Sequence, residues 1–69
     1  MARRIWSNAG NPTDTVARQL GISREQLGEA IHTIKRYAGL TPADRVNIWD
    51  DGSVTDDTNE WIGNVRDEA

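Results

Sequence analysis

The sequence predicts an α+β domain in which two helices, about 12–20 and 24–38, pack on a three-stranded antiparallel meander at about 45–49, 53–56 and 60–65. Three observations carry that expectation. Apolar residues recur at helical spacing as far as Ala38, and the pattern turns to alternation from Arg45 onward. With 69 residues, the chain buries only about 60% of its unfolded surface, so it has room for one core and one domain.

Residues 1–11 mix basic, small and turn-forming types, and read as a flexible basic arm anchored by Ile5 and Trp6. Asn11-Pro12-Thr13-Asp14 has the grammar of a helix start: Asn as cap, Pro where a missing N–H costs nothing, and an acid to favour the helix dipole. Val16, Ala17 and Leu20 give this first helix its apolar stripe, and Gly21 stands where a left-handed terminator is wanted. Ser23-Arg24-Glu25-Gln26 matches a capping box and starts the second helix. Leu27, Ile31, Ile34 and Ala38 form one stripe along it, and Gly39 stops it. Thr41-Pro42-Ala43-Asp44 reads as a connector.

In the second half, Val46 and Ile48 share one strand face while Asn47 and Trp49 share the other. Asp50-Asp51-Gly52 is a hairpin turn signal, Ser53-Val54-Thr55 returns, and Asp56-Asp57-Thr58-Asn59 turns again into a third strand. The domain is expected over 12–66, with a frayed tail at 67–69. Two helices with one apolar stripe each, followed by a sheet with one apolar face, make a two-layer arrangement.

Cysteine is absent, which excludes disulfides, a thiolate nucleophile and cysteine-bearing zinc clusters, and a single His leaves no metal site to propose. No cofactor is expected. No apolar run approaches the roughly 20 residues of a membrane span, and Met1-Ala2-Arg3-Arg4 is not followed by a signal-like stretch, so a cytoplasmic protein without membrane contact is expected. The formal charge of −3 conceals a polarity: residues 1–36 hold six basic against three acidic side chains, and residues 37–69 hold two against eight. Such a basic half suits a phosphate backbone or an acidic partner.

Four constellations bear on function. Ala17, Gly21, Ile22-Ser23 and Leu27 resemble the turn of helix-turn-helix proteins, although any tight helical corner asks for the same residues. Glu25, Glu29, His32 and Arg36 line the polar side of the second helix, with Lys35 at the margin. An imidazole beside Lys35 and Arg36 suits phosphodiester cleavage, the imidazole moving a proton and the cations stabilising the developing charge, and a solvated charged face looks the same. The acids at 50, 51, 56, 57 and 60 lack EF-hand spacing, because Trp49 occupies a ligand position, and turn chemistry accounts for them. Trp49 and Trp61 suit either a stacking platform for bases or the core, and a chain poor in large hydrophobes favours the core. No serine lies in an elbow motif that would support a hydrolase triad.

Leu20-Gly21-Ile22-Ser23, Leu27-Gly28-Glu29-Ala30-Ile31-His32, Ile34-Lys35, Gly39-Leu40, Val46, Asp51-Gly52, Val54 and Glu60-Trp61-Ile62-Gly63-Asn64-Val65 together resemble the C-terminal domains of bacterial polymorphic toxins. These include the domains of large secreted repeat proteins and of contact-dependent inhibition proteins. The resemblance covers residues 12 to 68 and implies a small α+β domain acting on RNA, a metal-independent ribonuclease in many relatives, neutralised by an immunity protein. It makes His32 and Lys35 the expected catalytic pair, and together with the charge polarity it gives Arg24, Arg36, Arg18, Arg3 and Arg4 as expected nucleic-acid contacts, RNA being preferred over DNA. Two alternatives stay open: a helix-turn-helix-like module that binds DNA or a protein without turnover, and a scaffold without chemistry. The acidic sheet also suits recognition by a partner protein, and oligomeric state is not expressed in the sequence.

Overall fold

The computed structural model describes residues 2–68. Its elements run β1 (Arg4–Asn8), α1 (Asp14–Leu20), α2 (Arg24–Tyr37), β2 (Val46–Trp49), β3 (Ser53–Thr55), β4 (Trp61–Asn64) and α3 (Val65–Glu68). The α+β class holds, but the sheet has four antiparallel strands in the order β1-β2-β3-β4. The fourth is β1, which lies within the expected flexible arm. Its partner β2 would otherwise end the sheet with a row of unpaired N–H and C=O groups, and Arg4–Asn8 satisfies them. Asp67 and Glu68, within the expected frayed tail, belong to α3. Met1 and Ala69, the outermost residues of the expected arm and tail, lie outside the described residues.

Helix boundaries follow their caps. Ser23 Oγ accepts from the Gln26 N–H and Gln26 Oε1 accepts from the Ser23 N–H, both at 3.0 Å, which completes the expected capping box and contributes about 1 kcal/mol. Helix α1 starts later than the Asn-Pro signal implied: its cap is Thr13, without a side-chain cap bond, and Pro12 is buried. Gly21 ends α1 in the left-handed conformation, so the Gly21 and Ile22 N–H groups reach the Arg18 and Ala17 carbonyls.

All three helices lie on one side of the sheet. The core holds Val16, Ala17 and Leu20 of α1, Leu27, Ala30, Ile31 and Ile34 of α2, Val46 and Ile48 of β2, Val54 of β3, and Val65. The α2 stripe is thus rotated slightly from the expected one: Ala38 is exposed at the C-cap, and Lys35 is buried. Two bulges adapt the sheet to this core. Pairing of β1 with β2 shifts between Arg4 and Trp6, and pairing of β3 with β4 skips Ile62. At each bulge two consecutive positions turn towards the helices: Ile5 and Trp6 pack on the core, as does Ile62, while Gly63 sits against Ile34.

Candidate functional site

Register decides what the sheet presents on its other side. Across antiparallel pairs, facing residues share a face. Arg4 faces Trp49, Ser7 faces Asn47, Asn47 faces Thr55, Ser53 faces Asn64 and Thr55 faces Trp61. These eight residues therefore occupy the face that the helices leave open. Trp61 is 61% exposed and Trp49 is half-buried, so the expectation that both are core residues is corrected. For Trp49 the physical reason is the alternation of β2, which puts it with Asn47 on the face opposite Val46 and Ile48; for Trp61 it is the Ile62 bulge. Simple alternation puts Trp61 on the side of Gly63 and Val65, and one extra residue moves it to the opposite face.

Side-chain bonds fasten this surface. The Trp49 indole N–H donates to Thr55 Oγ1 at 3.1 Å, and the Thr55 hydroxyl donates to Asn59 Oδ1 at 3.2 Å. Asn59 holds the left-handed conformation that ends the β3–β4 turn. Asn47 Nδ2 donates to the Asp56 carbonyl at 3.1 Å, and Asn64 Nδ2 donates to the Asp51 carbonyl at 3.3 Å. The indole of Trp49 is held in one orientation, while Trp61, Arg4 and the Ser7 hydroxyl remain exposed and the Ser53 side chain bonds to the Asp51 carboxylate.

Acidic turns bound both ends of the face. The Ser53 N–H donates to Asp51 Oδ1 at 2.9 Å and holds that carboxyl below its usual range. Asp56 is lowered foremost by the Thr58 hydroxyl at 2.7 Å, and then by the Glu60 N–H at 2.9 Å. A carboxyl whose folded pKa is depressed adds stability above its unfolded value, about 3.9, and loses it as pH falls through the folded one. Denaturant midpoints should hold from neutral pH down to about 5 and then fall below about 4. An Asp51→Asn, Asp56→Asn double variant should show a shallower fall. Equal acid profiles for the two proteins would remove these turns from the account.

The expected catalytic pair lies on the helix side. His32 and Lys35 line one small niche of about 180 Å³ with Gly10, Asn11, Ile31 and Pro42. His32 is exposed, whereas Lys35 is 3% exposed and its ammonium donates to the Pro42 carbonyl at 2.9 Å. Burial lowers the Lys35 pKa, partly offset by Asp44. Arg24 and Arg36 are not brought to this niche. Arg24 lines a cleft of about 430 Å³ with Asn11, Pro12, Gly28 and the acids Glu25 and Glu29. Arg36 lies with Thr33 and Tyr37, about 18 Å from Arg24 along the helix axis. Arg18 is paired with Asp14 at 3.0 Å. Arg3 is exposed, its carbonyl accepting from the Asp50 N–H at 2.8 Å, and Arg4 stands on the open face beside Trp49.

Of the expected contacts, only Arg4 belongs to the open face. Ser7, Asn47, Ser53, Thr55 and Asn64 were not singled out by the sequence, although the alternation through Val46–Trp49 held the parity of Asn47. Among the described residues, no group of three or more His, Cys, Asp or Glu side chains is arranged to hold a metal ion, and no helix is long and apolar enough to cross a membrane. Compared with known proteins, the chain matches no protein-family model, no curated protein and no solved structure.

Proposed function

We propose that the chain is a toxin-like domain that binds single-stranded RNA on the open face of its sheet, with Trp49 and Trp61 as stacking platforms and Arg4 as the nearest phosphate contact. The observation that supports this reading is one exposed and one bond-locked indole on a helix-free sheet face that also carries a guanidinium. Aromatic side chains stack on any base, and an exposed hydroxyl such as that of Ser7 can pair with the ribose 2′-hydroxyl, which favours RNA over DNA. This moves the contact surface from α2 to the sheet.

The eight residues of the face include no imidazole and no carboxylate to take a proton from a 2′-hydroxyl, and the Asp51 and Asp56 carboxylates at its ends are bonded within their own turns. Binding without cleavage is the expected behaviour. Titration of intrinsic tryptophan fluorescence with a short unpaired RNA, over a series of salt concentrations, tests this. One or two phosphate contacts give a slope of log K against log salt of about −1, whereas contact through the five arginines first expected gives about −3.5. Trp61→Ala should weaken binding about tenfold, since one stacked base is worth ~1–3 kcal/mol, and should leave the fold intact because the side chain is exposed. A steep slope with Trp61→Ala unchanged would return the site to α2 and the basic residues. No binding of RNA would sink the proposal and favour a protein partner. Cleaved RNA on a gel of the same samples would require a catalytic group elsewhere.

A further inference from the structure

Lys35 is the one buried charged side chain among the described residues. Lysine is almost never fully buried unless paired, because an ammonium without compensation is costly to remove from water. Here the compensation is small. The ammonium has a single protein acceptor among the described residues, the Pro42 carbonyl at 2.9 Å. The ion pair found among those residues joins Arg18 to Asp14, and Asp44 acts on Lys35 only through space. An ammonium carries three donors, so two remain without an acceptor among the described residues.

The surroundings of Lys35 offer room beside its ammonium, since Pro42, which accepts from it, lines the same niche. Lys35 lines the niche of about 180 Å³ together with Gly10 and Asn11 from the segment after β1, Ile31 and His32 of α2, and Pro42 of the α2–β2 loop. Its polar lining comes from His32 and Asn11 besides Lys35, and Ile31 is apolar lining. Lys35 is 3% exposed, and its ammonium bonds the carbonyl of Pro42 on the rim of a niche that it also lines. There it is desolvated enough to gain from an anion and close enough to meet one. The volume lies below the ~300–1,000 Å³ of sites that enclose drug-sized ligands, which restricts the occupant to a small group. No carboxylate lines the niche.

We propose that this niche binds a phosphate group, held by the Lys35 ammonium and flanked by the His32 imidazole and the Asn11 amide. Either free phosphate or the terminal phosphate of an oligonucleotide supplies that chemistry. The niche lies on the helix side of the sheet, so it does not depend on RNA binding by the open face.

The test is a two-dimensional NMR titration of the full chain, following the amides of Asn11 and His32, the imidazole and the Lys35 side chain. The probes are inorganic phosphate and, separately, a 5′-phosphorylated dinucleotide with its dephosphorylated counterpart, all at constant ionic strength set by chloride. Saturable shifts at these residues with inorganic phosphate support the site with the free ion as its source. Saturation only by the phosphorylated dinucleotide supports it with a chain end as its source. Lys35→Met keeps the stem volume and removes the ammonium, and should abolish saturation and any phosphate-induced rise in Tm. His32→Gln, at an exposed position, should weaken binding several-fold and keeps the test decisive if the lysine variant misfolds. Shifts equal to those in chloride alone, or binding unchanged in either folded variant, would overturn the proposal. Because the dephosphorylated dinucleotide still offers bases to the tryptophans, failure of the niche and failure of the open face are read separately.

Discussion

Ile48→Ala is expected to lower stability by about 3 kcal/mol, within the range for truncating a buried Ile to Ala, and to leave much of the chain unfolded under mild denaturant. Ile48 is fully buried on β2, with Trp6 and Val54 opposite it on the flanking strands. The cavity left behind would open between sheet and helices, where both layers are already held by the same few side chains. Chains of this length have a total stability of about 3–10 kcal/mol, so the loss approaches a third to all of it. Urea denaturation followed by circular dichroism checks this, with the midpoint falling and the slope retained. An unchanged midpoint would mean that Ile48 does not join the layers. Asn47→Ala on the same strand faces away from the core and should cost less, about 1 kcal/mol for the bond to the Asp56 carbonyl.

Gly52→Ala should cost about 3 kcal/mol through two causes that can be separated. Gly52 adopts φ +90°, which L side chains rarely take, and a Cβ there would come within 2.7 Å of Asn64 Oδ1 and 3.1 Å of Arg66 Cγ. Strain alone accounts for about 1–2 kcal/mol, and forced overpacking for about 1–3. Asn64 has little freedom to yield, because Oδ1 accepts from the Arg66 N–H at 2.8 Å and Nδ2 donates to the Asp51 carbonyl at 3.3 Å. The Gly52 carbonyl in turn accepts from the Val65 N–H at 2.9 Å, so the hairpin turn and the start of α3 form one unit. Gly39 is the comparison: its φ is +76° and a Cβ meets nothing within 4 Å. Gly39→Ala should therefore show the strain alone, about 1 kcal/mol. Equal losses at both positions in thermal denaturation would refute the contact between the turn and α3.

Legibility in the sequence followed the range of the interaction. The capping box at Ser23 and Gln26, the left-handed Gly21 and the turn at Gly52 are decided within a few residues, and each was readable there. The alternation Val46, Asn47, Ile48, Trp49 likewise revealed which residues of β2 face the helices, since pleating is local. Strand β1 escaped because its five residues carry a bulge that breaks alternation, and because its reason for being extended is β2, about forty residues away. The orientation of Trp61 escaped for a related reason. Its strand pattern is ordinary, and only pairing with β3 reveals that Ile62 is an extra residue.

The same division applies to the candidate sites. His32 and Lys35 were expected to act together, and their spacing of three on α2 does put both on one niche. What spacing could not express was that the β1 exit and the Pro42 loop close over Lys35, leaving its ammonium tied to a carbonyl. Nor could it express that Arg4 belongs beside Trp49, on the opposite side of the sheet from that niche.

The sequence by itself determined the α+β class, the extent of both long helices to within a few residues, and the turns. Those features depend on caps, periodicity and allowed dihedrals, which neighbouring residues settle among themselves. Tertiary structure alone decided that the first residues join the sheet, that two bulges turn Ile5 and Ile62 to the core, and that Trp61 faces out. Each of those outcomes depends on which distant strand satisfies a given backbone group, because a one-residue shift in pairing exchanges the two faces of a strand.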